Sequence, residues 1–300
     1  MSIEAATTDA LTPADMQRAI EQLGTKPKVC PICDGAEPHP IFDKTGKTFY
    51  RCTQCQLAFV HAIYPEFAED VDHLSTTYEF EEAIKPNARQ RKKMDAWLKR
   101  MAPHKKTGKL LEVGCGQGIF LQYAREAGWD VTGVDVLAPV VEVARSKRGL
   151  NVHLGHLEPA QLDADQFDAC FMSEVIEHIV DPVPLMTEIR RVLRPGGVSV
   201  VSTGNACSWS ALFRGAKWGY YRFGGHLHIR FYGPGSARAL AQKAGYKSVD
   251  VHTHGFAFGE AKEMKGKWYK LPAKVVQGLL SPIVTVLGRG HRLLCVFHAP

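Results

Sequence analysis

Short apolar runs and amphipathic segments alternate through the middle of this 300-residue chain. The apolar runs predict buried strands near residues 109–113, 130–134, 151–154, 167–172 and 198–203. Apolar residues that recur at three- and four-residue steps predict helices near residues 118–127, 139–148 and 182–193. Strands that alternate with helices are typical of a parallel sheet with helices on both faces, so the pattern predicts an α/β fold.

The segments that flank this core carry weaker patterns. Residues 89–109 are basic and predict a helix, a further helix is expected around 235–244, and 292–297 predict the last strand. Thr12 is a suitable N-cap for an N-terminal helix that ends near Gly24.

The apolar stretch 271–287 calls for a separate interpretation. Lys274, Gln277 and Pro282 interrupt it, and no run of about 18 apolar residues occurs, so no transmembrane helix is expected. We expect a buried or interface helix, and the alternative is a peripheral membrane contact that suits a lipid-linked substrate. No basic start is followed by an apolar segment, so no signal peptide is expected.

A glycine-rich turn separates the first core strand from its helix. Gly114, Gly116 and Gly118 stand at alternate positions, which differs from the Gly-x-Gly-x-x-Gly spacing of dinucleotide-binding turns. Asp135 ends the second strand, where an acid in a doubly wound fold binds ribose hydroxyls. We expect a ligand at this edge, and the alternatives are a ligand-free tight turn and a capping role for Asp135.

Three groups of residues in the same order resemble one family. Glu112–Gly118 followed by Val134-Asp135, Phe167–His178 and Leu193–Gly197 resemble the motifs of class I S-adenosylmethionine (SAM) methyltransferases. Within that family the chain is most similar to the ubiquinone-biosynthesis and other small-molecule methyltransferases. The resemblance implies a Rossmann-like, seven-stranded class I methyltransferase core that binds SAM.

The resemblance also implies which residues contact the cofactor. They are Glu112, Gly114, Cys115, Gly116, Gly118, Asp135, Val136, His156, Ser173, Glu174 and Tyr78. His156 stands where many members of the family have an acid that binds the adenine amine, so this contact differs here. Tyr78 lies in an aromatic-bearing segment that folds over the cofactor in related enzymes, and its alternative role is simple packing.

Cysteine spacing predicts a metal site outside the core. Cys30-x-x-Cys33 and Cys52-x-x-Cys55 are separated by 18 residues, the spacing of a zinc ribbon whose four thiolates hold Zn²⁺ tetrahedrally. Because such a site is closed, we expect a structural or substrate-docking zinc. The other four cysteines are scattered, which is typical of a reducing, cytoplasmic location.

Three histidines are candidate general bases. His226 is the first choice because it lies in the variable region past the fifth core strand, and His228 is close by. His178 follows two acids in a stretch that resembles ubiquinone-biosynthesis O-methyltransferases, in which a divalent metal has been proposed near the acids and histidine. The alternative for each histidine is a hydrogen-bonded structural role.

Composition and charge narrow the function. Eight aromatic residues between 206 and 232 favour a small ring-bearing or apolar acceptor, although core packing explains half of them at least as well. A net charge of +6 is low for an RNA-binding protein, so nucleic acid is disfavoured as partner. The basic residues 91–93 form either a solvated face or a patch for a phosphate-bearing substrate.

These observations favour a SAM-dependent O-methyltransferase acting on a natural-product, glycan or quinone-type molecule. The alternatives are an RNA methyltransferase that docks through the ribbon, a sugar C-methyltransferase and a non-enzymatic SAM-binding protein. The predicted parts are an N-terminal helical segment, a ribbon, a helical linker or cofactor lid, and the methyltransferase domain with a substrate-binding insertion near 206–232. Their bounds are 1–28, 29–62, 63–106 and 107–300. No oligomeric state is predicted.

Overall fold

The computed structural model describes residues 27–44, 47–61, 85–221, 228–256 and 270–300. The predicted N-terminal helix, Tyr78 and His226 lie outside these ranges. In chain order the elements are β1 (His39–Lys44), β2 (Lys47–Arg51), β3 (Ala58–Val60), α1 (Ala88–Met101), β4 (Lys109–Val113), α2 (Ile119–Glu126), β5 (Asp130–Asp135), α3 (Ala138–Arg148), β6 (Asn151–Leu154), β7 (Phe167–Ser173), α4 (Pro182–Val192), β8 (Leu193–Gly204), α5 (Trp209–Arg214), β9 (Arg230–Phe231), α6 (Pro234–Lys243), β10 (Ser248–His254), α7 (Lys270–Val286) and β11 (Arg292–His298).

The main sheet has seven strands in the order β10-β11-β8-β7-β4-β5-β6. Strands β4 to β8 pair in parallel, and β11 is antiparallel to both of its neighbours. The predicted α/β, Rossmann-like seven-stranded core is confirmed. The carboxyl ends of β4, β5 and β7 therefore meet at one edge of the sheet, where such folds bind ligands.

Helices cover both faces of the sheet, as the apolar pattern requires. On one face α1 buries Met94, Trp97, Leu98 and Met101, the positions whose spacing predicted the helix. On the other face the sheet packs against apolar residues of α4 and α6, including Met186 and Leu240. The core is thus two apolar layers separated by the sheet.

The turn before β8 differs from its prediction. The sequence predicted a helix to residue 193, a turn at Gly196-Gly197 and a strand from 198, but α4 ends at Val192 and β8 begins at Leu193. Leu193 pairs with Phe167, and a register shift follows on β7. Gly196 N donates to the Pro300 carbonyl at 3.0 Å, and Ala299 N donates to the Gly197 carbonyl at 2.9 Å. The strand is extended because the C-terminus pairs with these glycines.

A buried carboxylate fixes the approach to β4. Asp168, which is fully buried, accepts the N–H groups of Lys106, Thr107 and Gly108 at 2.6–2.7 Å. Arg194 forms an ion pair with its other oxygen at 2.6 Å. Burial opposes the charge, but these donors hold the pKa of Asp168 below its usual value. The loop that delivers β4 to the ligand edge is therefore anchored at its start.

The N-terminal strands form a second sheet that includes part of the core chain. Its order is β1-β2-β3-β9, with Ala58 paired to Phe231 and Phe59 to Arg230. An apolar cluster joins the two parts of the chain and includes Phe49, Trp218, Tyr221 and Phe231. The N-terminal sheet is therefore continuous with residues that follow β8.

Helix α7 has two different faces. Val284 is fully buried, whereas Leu279 and Val286 are 68% and 86% exposed. One side of the predicted helix thus packs and the other meets solvent. Within the described part of the chain, no helix combines the length and the apolar character needed to cross a bilayer.

Candidate functional site

A cavity of about 680 Å³ opens at the carboxyl ends of β4, β5 and β7. Helix α1 forms one wall and the start of α2 forms another. Its lining comprises Gln90, Lys93, Met94, Trp97, Glu112, Gly114, Cys115, Gly116, Gln117, Ile119, Phe120, Asp135, Leu137, Val140, Phe171 and Ser173. Mostly apolar walls with a few convergent polar groups are typical of a small-molecule site. We call this space the cofactor cavity.

Most of the predicted cofactor contacts line this cavity. These are Glu112, Gly114, Cys115, Gly116, Asp135 and Ser173. Four others lie elsewhere in the described structure: Gly118 packs against Leu150, Val136 is 37% exposed, His156 is exposed after β6, and Glu174 pairs with Arg292. Tyr78 lies outside the described residues. Contact between each of these residues and a cofactor remains a prediction.

The three positions of the turn require glycine for different physical reasons. A Cβ on Gly114 would lie 2.2 Å from a methyl of Val175, and one on Gly118 would lie 2.3 Å from Leu150 Cδ1. A Cβ on Gly116 would meet nothing within 4 Å, although its φ of +53° also favours glycine. Packing therefore requires two of the glycines, and only Gly116 leaves open space beside the cavity.

Two buried carboxyl groups reach the cofactor cavity. Asp135 accepts Gly116 N at 2.7 Å and Leu137 N at 2.9 Å, so it also fixes the glycine turn. Burial raises the pKa of Asp135, and burial together with Asp135 raises the pKa of Glu112 well above its usual value. Glu112 Oε2 has no hydrogen-bond partner among the described residues. An unsatisfied buried acceptor in a cavity wall fits a ligand that brings its own donor.

Helix α1 contributes residues that the sequence analysis did not assign to the cofactor site. Gln90, Lys93 and Trp97 line the cavity, and Lys93 Nζ lies 4.6 Å from the centroid of the Trp97 ring. Partial burial, with the charges of Arg292 and Arg89, lowers the pKa of Lys93 to about 8. The sequence feature that could have identified Lys93 is its position, because it stands one helical turn before Trp97, at the border of the apolar stripe of α1.

A second polar group of side chains lies after β7. Glu177, His178 and His228 each offer a ligand atom, and these atoms lie within 4.8 Å of one another. Glu177 and His178 belong to a short 3₁₀ turn, Ile176–His178, whereas His228 comes from the segment before β9. The structure thus brings together two of the three predicted histidines, and His226 lies outside the described residues. We call this group the Glu/His cluster.

Buried hydrogen bonds orient the Glu/His cluster. The fully buried Glu177 accepts the Tyr220 hydroxyl at 2.7 Å and the Thr203 hydroxyl at 2.9 Å, and burial raises the pKa of Glu177. His228 Nδ1 lies 2.9 Å from the Tyr220 carbonyl oxygen. A carbonyl oxygen only accepts, so Nδ1 carries the proton and the neutral ring has its lone pair on Nε2. Glu177 is one of the two acids that precede His178 in the sequence, whereas the contacts of Thr203 and Tyr220 with it were missed because they form only in the folded chain.

Glu174 links the Glu/His cluster to β11. It has a φ of +58°, in the left-handed region, and its carboxylate pairs with Arg292 and lies within hydrogen-bond distance of the Tyr220 hydroxyl. Burial lowers the pKa of Arg292 to about 10. Backbone strain of this kind is concentrated at functional sites, and here the paired carboxylate and guanidinium hold it. Val175, which follows Glu174, packs against Gly114, so the cofactor cavity and the cluster share this turn.

The four predicted metal ligands form a compact cluster. Cys30 Sγ lies 3.6 Å from Cys55 Sγ and Cys33 Sγ lies 3.5 Å from Cys52 Sγ, with all four sulfurs within 4.8 Å. Zn–S bonds of about 2.3 Å at tetrahedral angles would place the sulfurs about 3.8 Å apart. The arrangement therefore fits a tetrahedral zinc ion.

Main-chain bonds join the four-cysteine sheet to the Glu/His cluster. Ile229 N donates to the Glu177 carbonyl at 2.8 Å, and Val60 N donates to the Ile229 carbonyl at 3.0 Å. The buried guanidinium of Arg230 donates to the carbonyls of Val60 and Val180 at 2.9 and 2.6 Å. The segment that carries His228 is thus held between β3 and the turn of Glu177.

The aromatic residues near 206–232 divide between two roles. Trp218, Tyr221, Phe231 and Tyr232 are buried and pack in the core, so the packing alternative holds for them. Tyr220 instead joins the Glu/His cluster, and Phe213 is 79% exposed. The expected aromatic lining of an acceptor pocket is therefore reduced to few of these residues.

Comparisons with known proteins agree with this geometry. The family model of a methyltransferase domain matches residues 87–251. The ubiquinone biosynthesis O-methyltransferase of Cereibacter sphaeroides is 33% identical over 151 residues, which cover 47% of this chain and 61% of that protein. The protein of the same name from Hydrogenovibrio crunogenus is 32% identical over 146 residues, 45% of this chain and 61% of that protein. The matched region thus spans less than two thirds of these relatives.

Solved structures share the fold at low sequence identity. Phosphoethanolamine N-methyltransferase 2 of Haemonchus contortus, in complex with SAM, has a TM-score of 0.50 and 19% identity over 81% of this chain and 62% of that chain. The [4+2]-cyclase SpnF has a TM-score of 0.51 and 19% identity over 78% of this chain and 94% of that chain. One of these proteins is named a transferase and the other a cyclase, so the shared fold does not by itself determine the reaction.

Proposed function

The chain belongs to the methyltransferase domain family, and we propose that it transfers the methyl group of SAM to an oxygen of a small-molecule acceptor. The observation that carries this proposal is the shared turn, Ser173–Val175, which places the cofactor cavity beside the Glu/His cluster at one edge of the sheet. A methyl donor and a proton acceptor are the two parts that this reaction needs.

The residues of the cavity fit SAM. Asp135 would hold the ribose hydroxyls, and Glu112 Oε2 would accept from the ammonium of the methionine part. Lys93 would pair with the methionine carboxylate, since it is the cation nearest the cavity wall that can form a charge-assisted hydrogen bond. Trp97, Phe120 and Phe171 supply apolar surface.

Methyl transfer requires no covalent intermediate between the protein and the methyl group. When bound, SAM supplies a methyl group on a positively charged sulfur, which is displaced in line by an acceptor oxygen. The chain aligns the two groups at about 3 Å and removes the proton of the acceptor hydroxyl. Nε2 of His228 would take this proton, with the Tyr220 carbonyl fixing the tautomer. His178 is the second candidate base, and His226 remains the prediction from the sequence.

A divalent cation at the Glu/His cluster is the second candidate for activation of the acceptor. The observation that favours it is the convergence of one carboxylate and two imidazoles within 4.8 Å. Such a set of O and N ligands suits Zn²⁺ or other divalent ions, which lower the pKa of a bound hydroxyl. Glu177 already accepts two hydroxyl donors, which would orient it as a ligand.

For the four cysteines we propose one structural Zn²⁺. Two pairs of sulfurs, each pair joining the first knuckle to the second, at 3.5 and 3.6 Å support this assignment. Its role is to hold β3 against the segment of His228. The cytoplasmic location predicted from the cysteines belongs with this proposal, because reduced thiols are needed to bind the metal.

The proposed class of acceptor rests on the names of the relatives. Two of them are named for ubiquinone biosynthesis, so a phenol or catechol of quinone type is the first candidate acceptor. A histidine base titrates near neutral pH and suits an aromatic hydroxyl, which is far more acidic than an alcohol. RNA and sugar-carbon acceptors stay as alternatives. Among the described residues that line the cofactor cavity, Lys93 is the single cation, which disfavours RNA.

The test is methyl transfer from labelled SAM to three separate acceptor sets: a panel of catechols and phenols, total RNA, and deoxysugar nucleotides. We expect label in an aromatic O-methyl ether, identified by mass. Label in RNA or at a sugar carbon would replace the acceptor assignment. SAM binding without transfer to any set would overturn the enzymatic proposal, and SAM binding is therefore measured first by calorimetry.

A further inference from the structure

A second cavity, of about 390 Å³, borders the cofactor cavity. Ile119, the first residue of α2, lines both spaces. Four cations line the second cavity: Lys85, Arg91, Lys147 and Arg148. Among the described residues of its wall, Glu126 is the single acid. The wall therefore carries an excess of positive charge in a confined space.

Neutral groups position two of these cations, Arg91 and Arg148. Arg91 Nε donates to the Pro86 carbonyl at 3.2 Å, and Arg148 Nη1 donates to Gln122 Oε1. Glu126 accepts from Gln122 Nε2 at 3.1 Å. Within the described parts of the chain, no carboxylate forms an ion pair with Lys85 or Arg91.

Two helix ends build the cavity. Lys85 and Arg91 flank the N-terminus of α1, a helix of 14 residues, whereas Lys147 and Arg148 close the C-terminus of α3. The partial positive charge of the α1 N-terminus adds to that of the side chains. The last carbonyls of α3 would repel an anion, but Arg125 donates to the carbonyls of Arg148 and Gly149 at 2.9 and 3.0 Å. The field in the cavity is therefore positive from both sides.

We propose that this cavity binds the phosphoryl group of a small phosphate-bearing molecule. A phosphate dianion presents three terminal oxygens, which match a planar guanidinium on each side and two mobile ammonium groups. A singly charged carboxylate would leave most of this charge uncompensated. The volume admits a phosphoryl group with a small attached moiety, and the cleft is too short for a duplex. Inorganic phosphate and a soluble phosphate monoester offer the same chemistry.

Helix α1 connects this phosphoryl site to the cofactor cavity. Gln90 and Lys93 line the cofactor cavity, and Arg91, between them in sequence, lines the second cavity. An anion that fixes the α1 N-terminus therefore also fixes two residues that face the cofactor. Such coupling is reciprocal, so phosphate binding and SAM binding strengthen each other.

The experiment is calorimetric titration of the full chain with inorganic phosphate and with glycerol 3-phosphate, at constant ionic strength set with NaCl. We expect saturable binding of one equivalent, with a dissociation constant of about 1 mM or below. The double variant R91Q/K147Q loses two of the four charges and should weaken binding at least about tenfold. The variant K92Q is the matched control, because Lys92 is exposed on the same helix and lines neither cavity, and it should stay within about twofold.

The outcomes of these titrations distinguish the two sources of phosphate and the absence of the site. Preference for glycerol 3-phosphate over inorganic phosphate would identify a monoester as the source, and the reverse would identify the free ion. Absence of saturable binding, or equal binding by all variants, would overturn the proposal. SAM affinity is measured with and without phosphate on the same samples, so a chain that binds SAM but not phosphate refutes this site while leaving the proposed function intact.

Discussion

The two halves of the candidate site differ in how the chain builds them. The cofactor cavity takes Glu112, Gly114, Gly116 and Asp135 from one stretch of the sequence, within a single strand–helix–strand unit. The Glu/His cluster collects Glu177, Thr203, Tyr220 and His228 from separate segments, and its backbone is tied to β3 in the N-terminal sheet. A local motif thus supplies these four residues of the half that we propose for the donor, and long-range packing builds the half that we propose for the acceptor.

The largest expected effect comes from the four-cysteine cluster. Cys52→Ser should abolish the binding of about one zinc per chain and lower kcat at least about 1000-fold, because β3 then no longer holds the His228 segment. SAM affinity should change by less than about threefold. Metal analysis, calorimetry and the transfer assay measure the three quantities. Cys207→Ser, outside the cluster, is the control, and an equal loss of SAM affinity in C52S would show that the two halves are not separable.

Removal of the proposed base should have the next largest effect on kcat. His228→Gln should lower kcat about 10²- to 10³-fold with little change in the SAM dissociation constant, since a general base acts only in the transition state. The pH dependence of kcat should also lose its acidic limb. His252→Gln, on the exposed side of β10, is the control. A variant H228Q with full activity would transfer the role to His178 or His226.

For the residues proposed to bind SAM, we expect the opposite pattern, in which SAM affinity falls more than kcat. Asp135→Ala should weaken SAM binding about ten- to a hundredfold, because a pair of charge-assisted hydrogen bonds is lost and Gly116 N loses its acceptor. At saturating SAM, kcat should fall by much less. Calorimetry with SAM is the measurement. Unchanged affinity would remove Asp135 from the ribose site and leave it as the bond that fixes the turn.

The smallest effect concerns the charge of Lys93. Its pKa of about 8 means that the ammonium is present below that pH and is lost as the pH rises through it. SAM binding should therefore be tightest below pH 8 and weaken up to about tenfold by pH 9.5. Lys93→Gln should bind weakly with a flatter profile, and Lys93→Arg should keep tight binding at pH 9.5. Because SAM itself titrates in this range, the difference between variants carries the result, and parallel profiles would exclude the pairing.

This comparison explains how far the sequence could predict the molecule. The bounds of β4, β5, β6 and β7 follow the prediction within one residue, because short apolar runs, bordered by glycine at or close to both ends of β4 and β6, leave few alternatives. Cysteine spacing likewise predicted the cluster at Cys30, Cys33, Cys52 and Cys55. In both cases the signal lies within a short window of residues.

The features that the sequence analysis missed depend instead on contacts between residues that are far apart in the chain. β9 pairs with β3 although some 170 residues separate Phe59 from Arg230. Tyr220 and Thr203 became site residues only when Glu177 was folded against them, and β8 begins early only because the C-terminus pairs with Gly196-Gly197. Periodicity contains no information on such contacts. Lys93 was missed as a residue of the cofactor cavity for a different reason, since the sequence does not show which cation of the basic run 91–93 lines that cavity.

The pairing of β3 with β9 also determines what happens to the chain without its first 62 residues. A truncation at that point would remove the partner of β9 and uncover Phe231, Tyr221 and Trp218, which now form one cluster with Phe49. An unpaired strand edge beside apolar aromatic surface invites association between copies. The N-terminal sheet therefore acts as an edge cap, and a catalytic domain expressed without it would be expected to aggregate rather than to fold as a smaller enzyme.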